Sequence, residues 1–163
     1  MANTYEAIAT QTLGSAAATV TFSSIPSTYT DLVLVVNGSI TSGNENFLIQ
    51  FNSDTASNYS DTSIGGNGTT AISNRETSNT AIRCNSYGSI TTNLSQYNIS
   101  IMNYANTTTY KTTLSRGNNT GTGTSANVGL WRSTSAINAV KLLPSASTFT
   151  SGSTFSLYGI KAA

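Results

Sequence analysis

The 163-residue sequence predicts an all-β fold: a single antiparallel β-sandwich, jelly-roll-like, with about nine or ten strands. Three observations carry this expectation. Twenty-eight Thr, 12 Ile, six Val, eight Tyr, five Phe and one Trp bias the chain toward β-branched and aromatic side chains, which suit a pleated surface and disfavour helices. Apolar residues recur at spacing two in short segments. Turn-forming clusters separate those segments every ~8–15 residues.

The elements follow in order. Residues 1–14 are read as an N-terminal arm. Ala18, Val20 and Phe22 alternate with Thr19, Thr21 and Ser23 until Pro26 removes a donor and ends the strand. Residues 32–40 are apolar on both faces through Val36, which predicts a central strand covered on each side. Phe47, Ile49 and Phe51 alternate with Leu48 and Gln50 after the turn Thr41-Ser42-Gly43-Asn44, so a hairpin with the preceding strand is expected. Strands are also predicted over 59–64 and 81–84, with the polar stretch 73–80 between them read as a loop. Tyr97, Ile99 and Ile101 point one way and Asn98, Ser100 and Met102 the other. Tyr110, Thr112 and Leu114 repeat the pattern, making the clearest hairpin of the chain. Residues 117–126 hold only Gly, Asn, Thr, Ser and Ala and are read as an exposed flexible connection. Strands over 128–132, over 137–143 up to Pro144, and over 155–160 complete the set. With no change of composition, heptad or fixed-period repeat, residues 1–163 are taken as one domain.

Composition narrows the function. Ser, Thr and Asn fill 71 of 163 positions (25, 28 and 18), whereas only 13 residues are charged, seven basic and six acidic. Seven cations cannot supply the phosphate contacts that nucleic-acid binding requires, so nucleic acid is not an expected partner. The longest strongly apolar run, Leu32 to Val36, is five residues against the roughly 20 of a membrane-spanning helix, and no secretory signal is readable at the N-terminus. Synthesis in a cytoplasm with release by lysis is the expectation. Cys84, the single cysteine, excludes an internal disulfide and is read as a buried small side chain.

Without His, the usual general base and the commonest neutral metal ligand are both missing, so hydrolysis would rest on carboxylates. Asp54 and Asp61 are the one pair close in sequence that a turn could bring together, and they are read as solvated turn residues rather than as a catalytic pair. No catalytic residue and no cofactor is assigned. Asn52, Asp54, Asn58 and Asp61 offer hard oxygen ligands and are weak Ca²⁺ candidates, although their spacing matches no EF-hand and Asx turns use the same residues. Seven Asn-x-Ser/Thr sites are what this composition yields by chance and carry no functional weight. Tyr beside Asn and Ser suits adaptable recognition surfaces, which makes Tyr97, Tyr104 and Tyr110 candidates for stacking against a glycan. Trp131 is the candidate core or subunit-interface anchor.

Three stretches carry a resemblance. They are Val20-Thr21-Phe22-Ser23-Ser24-Ile25-Pro26-Ser27-Thr28-Tyr29-Thr30-Asp31-Leu32; Phe51-Asn52-Ser53-Asp54 with Asn58-Tyr59-Ser60; and Phe149 with Ser151-Gly152-Ser153-Thr154-Phe155-Ser156-Leu157-Tyr158-Gly159-Ile160. Together they resemble small virion structural proteins of tailed bacteriophages, especially marine and cyanobacterial ones. The resemblance implies a protein exposed on the particle surface, and it brings no site residues. Three roles follow. The first is a capsid decoration or cement protein bound to the major capsid protein or other virion proteins, expected as a homotrimer. The second is a tail-fibre or receptor-binding module for host polysaccharide. The third and remote one is a carboxylate-based glycan-degrading enzyme.

Overall fold

Fourteen strands and no helix form among the residues that the computed structural model describes, 4–86 and 89–161. They are β1 (Tyr5–Thr12), β2 (Val20–Phe22), β3 (Asp31–Gly38), β4 (Asn44–Glu45), β5 (Phe47–Phe51), β6 (Tyr59–Gly66), β7 (Ala71–Asn79), β8 (Ile82–Arg83), β9 (Ile90–Thr91), β10 (Ser95–Met102), β11 (Lys111–Asn119), β12 (Gly123–Trp131), β13 (Val140–Pro144) and β14 (Thr154–Ile160). The all-β antiparallel sandwich is the observed architecture. An eight-stranded sheet in the order β1-β14-β3-β10-β11-β12-β6-β7 faces a four-stranded sheet in the order β2-β13-β5-β8, with β4 and β9 as a small separate pair.

The core lies between the two sheets and follows from the alternation. Leu32, Leu34 and Val36 of β3, Tyr97, Ile99 and Ile101 of β10, and Phe155 and Leu157 of β14 turn inward from the large sheet. Val20, Phe22, Phe47, Ile49, Phe51, Val140 and Leu142 answer from the small one. Aromatic rings bridge the layers, with Phe47 at 4.6 Å from Tyr97 and Phe51 at 5.6 Å from Trp131 between centroids.

The predicted 97–102/110–114 hairpin forms as β10 and β11, in register from Ser95 opposite Asn119 to Met102 opposite Thr112. Other expectations are corrected. The 32–40 and 47–51 segments do not pair: β3 bonds to β14 and β10, and β5 to β13 and β8. The short β4 leaves the line of β3 to pair with β9, which carries the chain from one sheet to the other. Nor does a second layer of described residues lie over Val33 and Val35 on the outer side of β3; Val33 is buried to 9% exposure by its neighbours on the same face, and Val35 is half-buried.

The N-terminal arm is a strand over Tyr5–Thr12, paired along β14, while Met1, Ala2 and Asn3 lie outside the described residues. Of the expected loop 73–80, all but Thr80 belongs to β7, an edge strand held by its backbone bonds to β6 and therefore free of the apolar alternation that marks a buried strand. The connection 117–126 is the end of β11, a tight turn and the start of β12. Its small residues have a packing reason. A Cβ on Gly117 would stand 2.5 Å from Tyr97 Cε1, so the missing side chain is the space the Tyr97 ring fills. Gly123, at φ +138°, opens β12 where a Cβ would stand 2.3 Å from the Gly66 carbonyl oxygen.

Candidate functional site

The turn between β5 and β6 places most of the residues read as calcium ligands, and it engages their oxygens internally. Asn52 Oδ1 accepts from the Asn138 and Ala139 amides at 2.9 and 3.1 Å, while its Nδ2 donates to the Ala136 carbonyl at 2.8 Å. Asp54 Oδ1 accepts from the Ala56 amide at 2.9 Å, and Oδ2 accepts from Asn58 Nδ2 at 2.9 Å and Trp131 Nε1 at 2.7 Å. Asp61 serves a separate network. Its Oδ1 takes Arg83 Nε and Nη2 at 3.2 and 2.9 Å, and Oδ2 takes Asn79 Nδ2 at 3.2 Å. The four side chains thus work as turn and strand locks, and Asp54 and Asp61 do not face one another as an acid–base pair. No cluster of three or more His, Cys, Asp or Glu suited to a metal occurs among the described residues.

Burial opposes ionisation of Asp54, but the hydrogen bonds from Asn58, Trp131 and the Ala56 amide outweigh it and hold the carboxyl below its ordinary value. A carboxyl lowered on folding contributes stability above its unfolded pKa and loses that contribution as pH falls through the folded value. Asp54→Asn is therefore expected to cost about 1–3 kcal/mol near neutrality. The gap to the parent protein should narrow as pH drops below ~4. Urea midpoints measured from neutral to acid pH check this; a gap that stays constant would show that the charge is not what matters.

The tyrosine platform is also corrected. Tyr97 and Tyr104 are fully buried, and only Tyr110, at 55% exposure, meets solvent. Tyr97 faces the core because β10 alternates inward at odd positions, and burial pushes its hydroxyl up. Tyr104 donates to the Pro26 carbonyl and accepts from the Tyr29 amide at 3.4 Å, closing the end of the sandwich. Trp131 is an anchor of the core within one chain, 2% exposed and stacked on Tyr59 at 6.2 Å and 14°. Cys84 is buried, and burial with the nearby Asp61 charge raises its thiol against the hydrogen bond to Ser115.

The uncovered surface is the outer face of the eight-stranded sheet. Register aligns its residues: Ser156, Val35, Asn98, Arg116, Ala126, Ile64 and Ser73 stand side by side across seven strands. Three shallow depressions meet at Arg116. One, of about 420 Å³, has Tyr5, Tyr158, Asn98 and Ser100 around it; the second, about 250 Å³, is lined by Gln96 and Asn118; the third, about 590 Å³, by Ile64, Ile72 and Ala126. The alternation of β10 and β14 could have shown Asn98 and Tyr158 on one face. Reading 117–126 as a loop hid the strand that presents Arg116.

No family model matches the sequence, and no curated protein matches it. Among solved structures the chain is similar to the crystal structure of an exo-inulinase from Aspergillus awamori, at 13% sequence identity and a TM-score of 0.48, covering 96% of this chain and 29% of that one. The chain therefore spans less than a third of that enzyme's length.

Proposed function

We propose that the protein is a non-enzymatic structural component of a tailed-bacteriophage particle, displayed on the virion surface as a head decoration or cement protein. It would be made in the host cytoplasm, freed by lysis, and bound as a homotrimer to the major capsid protein or to other virion proteins. One observation carries the non-enzymatic part. Each of the six carboxylates has an internal partner: Glu6 takes Lys161 and Tyr29, Asp31 the Asn103 amide, Glu45 the Ser145 hydroxyl, Glu76 Arg83 and Asn79, with Asp54 and Asp61 held as described. A chain without His that uses all its acids structurally holds no spare acid–base pair. Surface solubility then rests on neutral Ser, Thr and Asn, which salt does not screen.

The second reading, a receptor-binding module for host polysaccharide, is favoured by the open face around Arg116. Imaging of labelled protein on intact particles separates the two. Label spread over the head lattice supports decoration, and label confined to the tail supports recognition. Turnover of a glycan by the purified protein would sink both.

A further inference from the structure

The charges of this nearly neutral chain are distributed unevenly once it is folded. Lys161 pairs with Glu6, Arg83 with Asp61 and Glu76, and Lys111 is buried with its ammonium on the Thr109 and Thr134 carbonyls. Arg116 is exposed, and its guanidinium has no hydrogen-bond or ion-pair partner among the described residues. Across the same outer face, Arg75 stands opposite Thr62 at the β7 edge, and the acid on that face is Asp31, at the far end of β3, where it caps the Asn103 amide. An occupant of this face meets positive charge on Arg116 and Arg75 that no side chain among the described residues pairs.

We propose that this face binds a carboxylate-bearing polysaccharide, with Arg116 taking a uronate carboxylate. The inference deepens the recognition reading above and is independent of the decoration reading. A planar guanidinium matches a carboxylate through two parallel hydrogen bonds. Around it stand the groups a sugar chain uses: the Asn98, Gln96 and Asn118 amides and the Ser100 hydroxyl for ring hydroxyls. Tyr5, 61% exposed, and Tyr158 lie as diagonal neighbours on β1 and β14 and offer ring faces for the apolar side of a pyranose. The depressions run in line across the sheet through Arg116, which suits a polymer better than a single sugar. An apolar protein partner would meet a guanidinium and amides in the middle of its contact, and a nucleic acid would find too few cations for its phosphates.

The test titrates the full chain by calorimetry with hexasaccharides of galacturonate, of mannuronate and of a glucuronate-containing polymer. A neutral maltohexaose and poly-glutamate of matched charge serve as comparators. At least one uronate is expected to bind, with Arg116→Gln weakening it tenfold or more, Arg116→Lys recovering part of the loss, and Tyr5→Ala weakening it several-fold. Both Arg116 variants should melt with the parent protein, since Arg116 is exposed. Binding of maltohexaose alone would overturn the acidic specificity while leaving the recognition reading standing. No binding of any sugar would overturn both. Poly-glutamate binding as tightly as the uronates, or Arg116→Gln binding like the parent, would show charge alone or another surface at work and overturn the proposal.

Discussion

Trp131→Ala is expected to destabilise the fold by about 3–5 kcal/mol, the range for emptying a buried aromatic position. For a domain of this size that corresponds to roughly 6–20 °C in Tm. Three contacts go at once. The indole stacks on Tyr59 at 6.2 Å, packs against Phe51 at 5.6 Å, and donates Nε1–H to Asp54 Oδ2 at 2.7 Å. The last contact ties the β5–β6 turn to the end of β12, so the loss reaches beyond the cavity. Trp131→Phe keeps the apolar area and removes only that donor, and it should cost about 1–2 kcal/mol. Thermal and urea denaturation at several protein concentrations checks both. A variant whose melting falls only through loss of an oligomer, with concentration-dependent Tm, would return Trp131 to a subunit interface.

Asp61→Ala should cost a similar ~3–5 kcal/mol, because it removes one partner of a buried ion pair and leaves the other charge behind. The Asp61 side chain has no exposure and the Arg83 side chain 16%, with Nη2 at 2.9 Å from Oδ1. Arg83 keeps Glu76 at 2.6 Å, but that carboxylate is 41% exposed and already shared with water. Combining Asp61→Ala with Arg83→Met should recover much of the loss, since the largely buried cation, left with the half-exposed Glu76 as its ion-pair partner, then disappears. Equal destabilisation by the single and double variants would mean that the cavity and the hydrogen bonds to Asn79, not the charge, dominate. Added salt should change either result little, because a pair closed to solvent is weakly screened.

Much of the fold was legible along the chain, for a local reason. Strand identity depends on a period of two between neighbouring side chains, and Val20 to Phe22, Phe47 to Phe51 and Tyr97 to Ile101 display it without help from distant residues. Strands that do not need that pattern escaped. β7 and β1 are the two opposite edges of the large sheet, where backbone pairing defines the strand and, in β1, only Ile8 and Ala9 pack partly against the core. The end of β11 and start of β12 escaped because Gly117 yields its place to the Tyr97 ring, which makes a packed strand look like a flexible one.

The candidate sites divide the same way. Asx residues around Asp54 announce a turn, and a turn is what forms; which donors fill the carboxylate depends on Trp131, 77 positions later. Tyr97, Tyr104 and Tyr110 share a composition but not an environment, because one residue of register decides whether a ring meets the core or water.

Neutrality, threonine and alternation were enough to dictate a sandwich of antiparallel strands, since each acts through the backbone geometry of its own few residues. Which strands became neighbours, and hence which acids found cations and which arginines, Arg116 and Arg75, were left without a side-chain partner among the described residues on the open face, was settled only by folding. Cross-strand contacts join residues far apart in the chain, and no local pattern encodes their meeting.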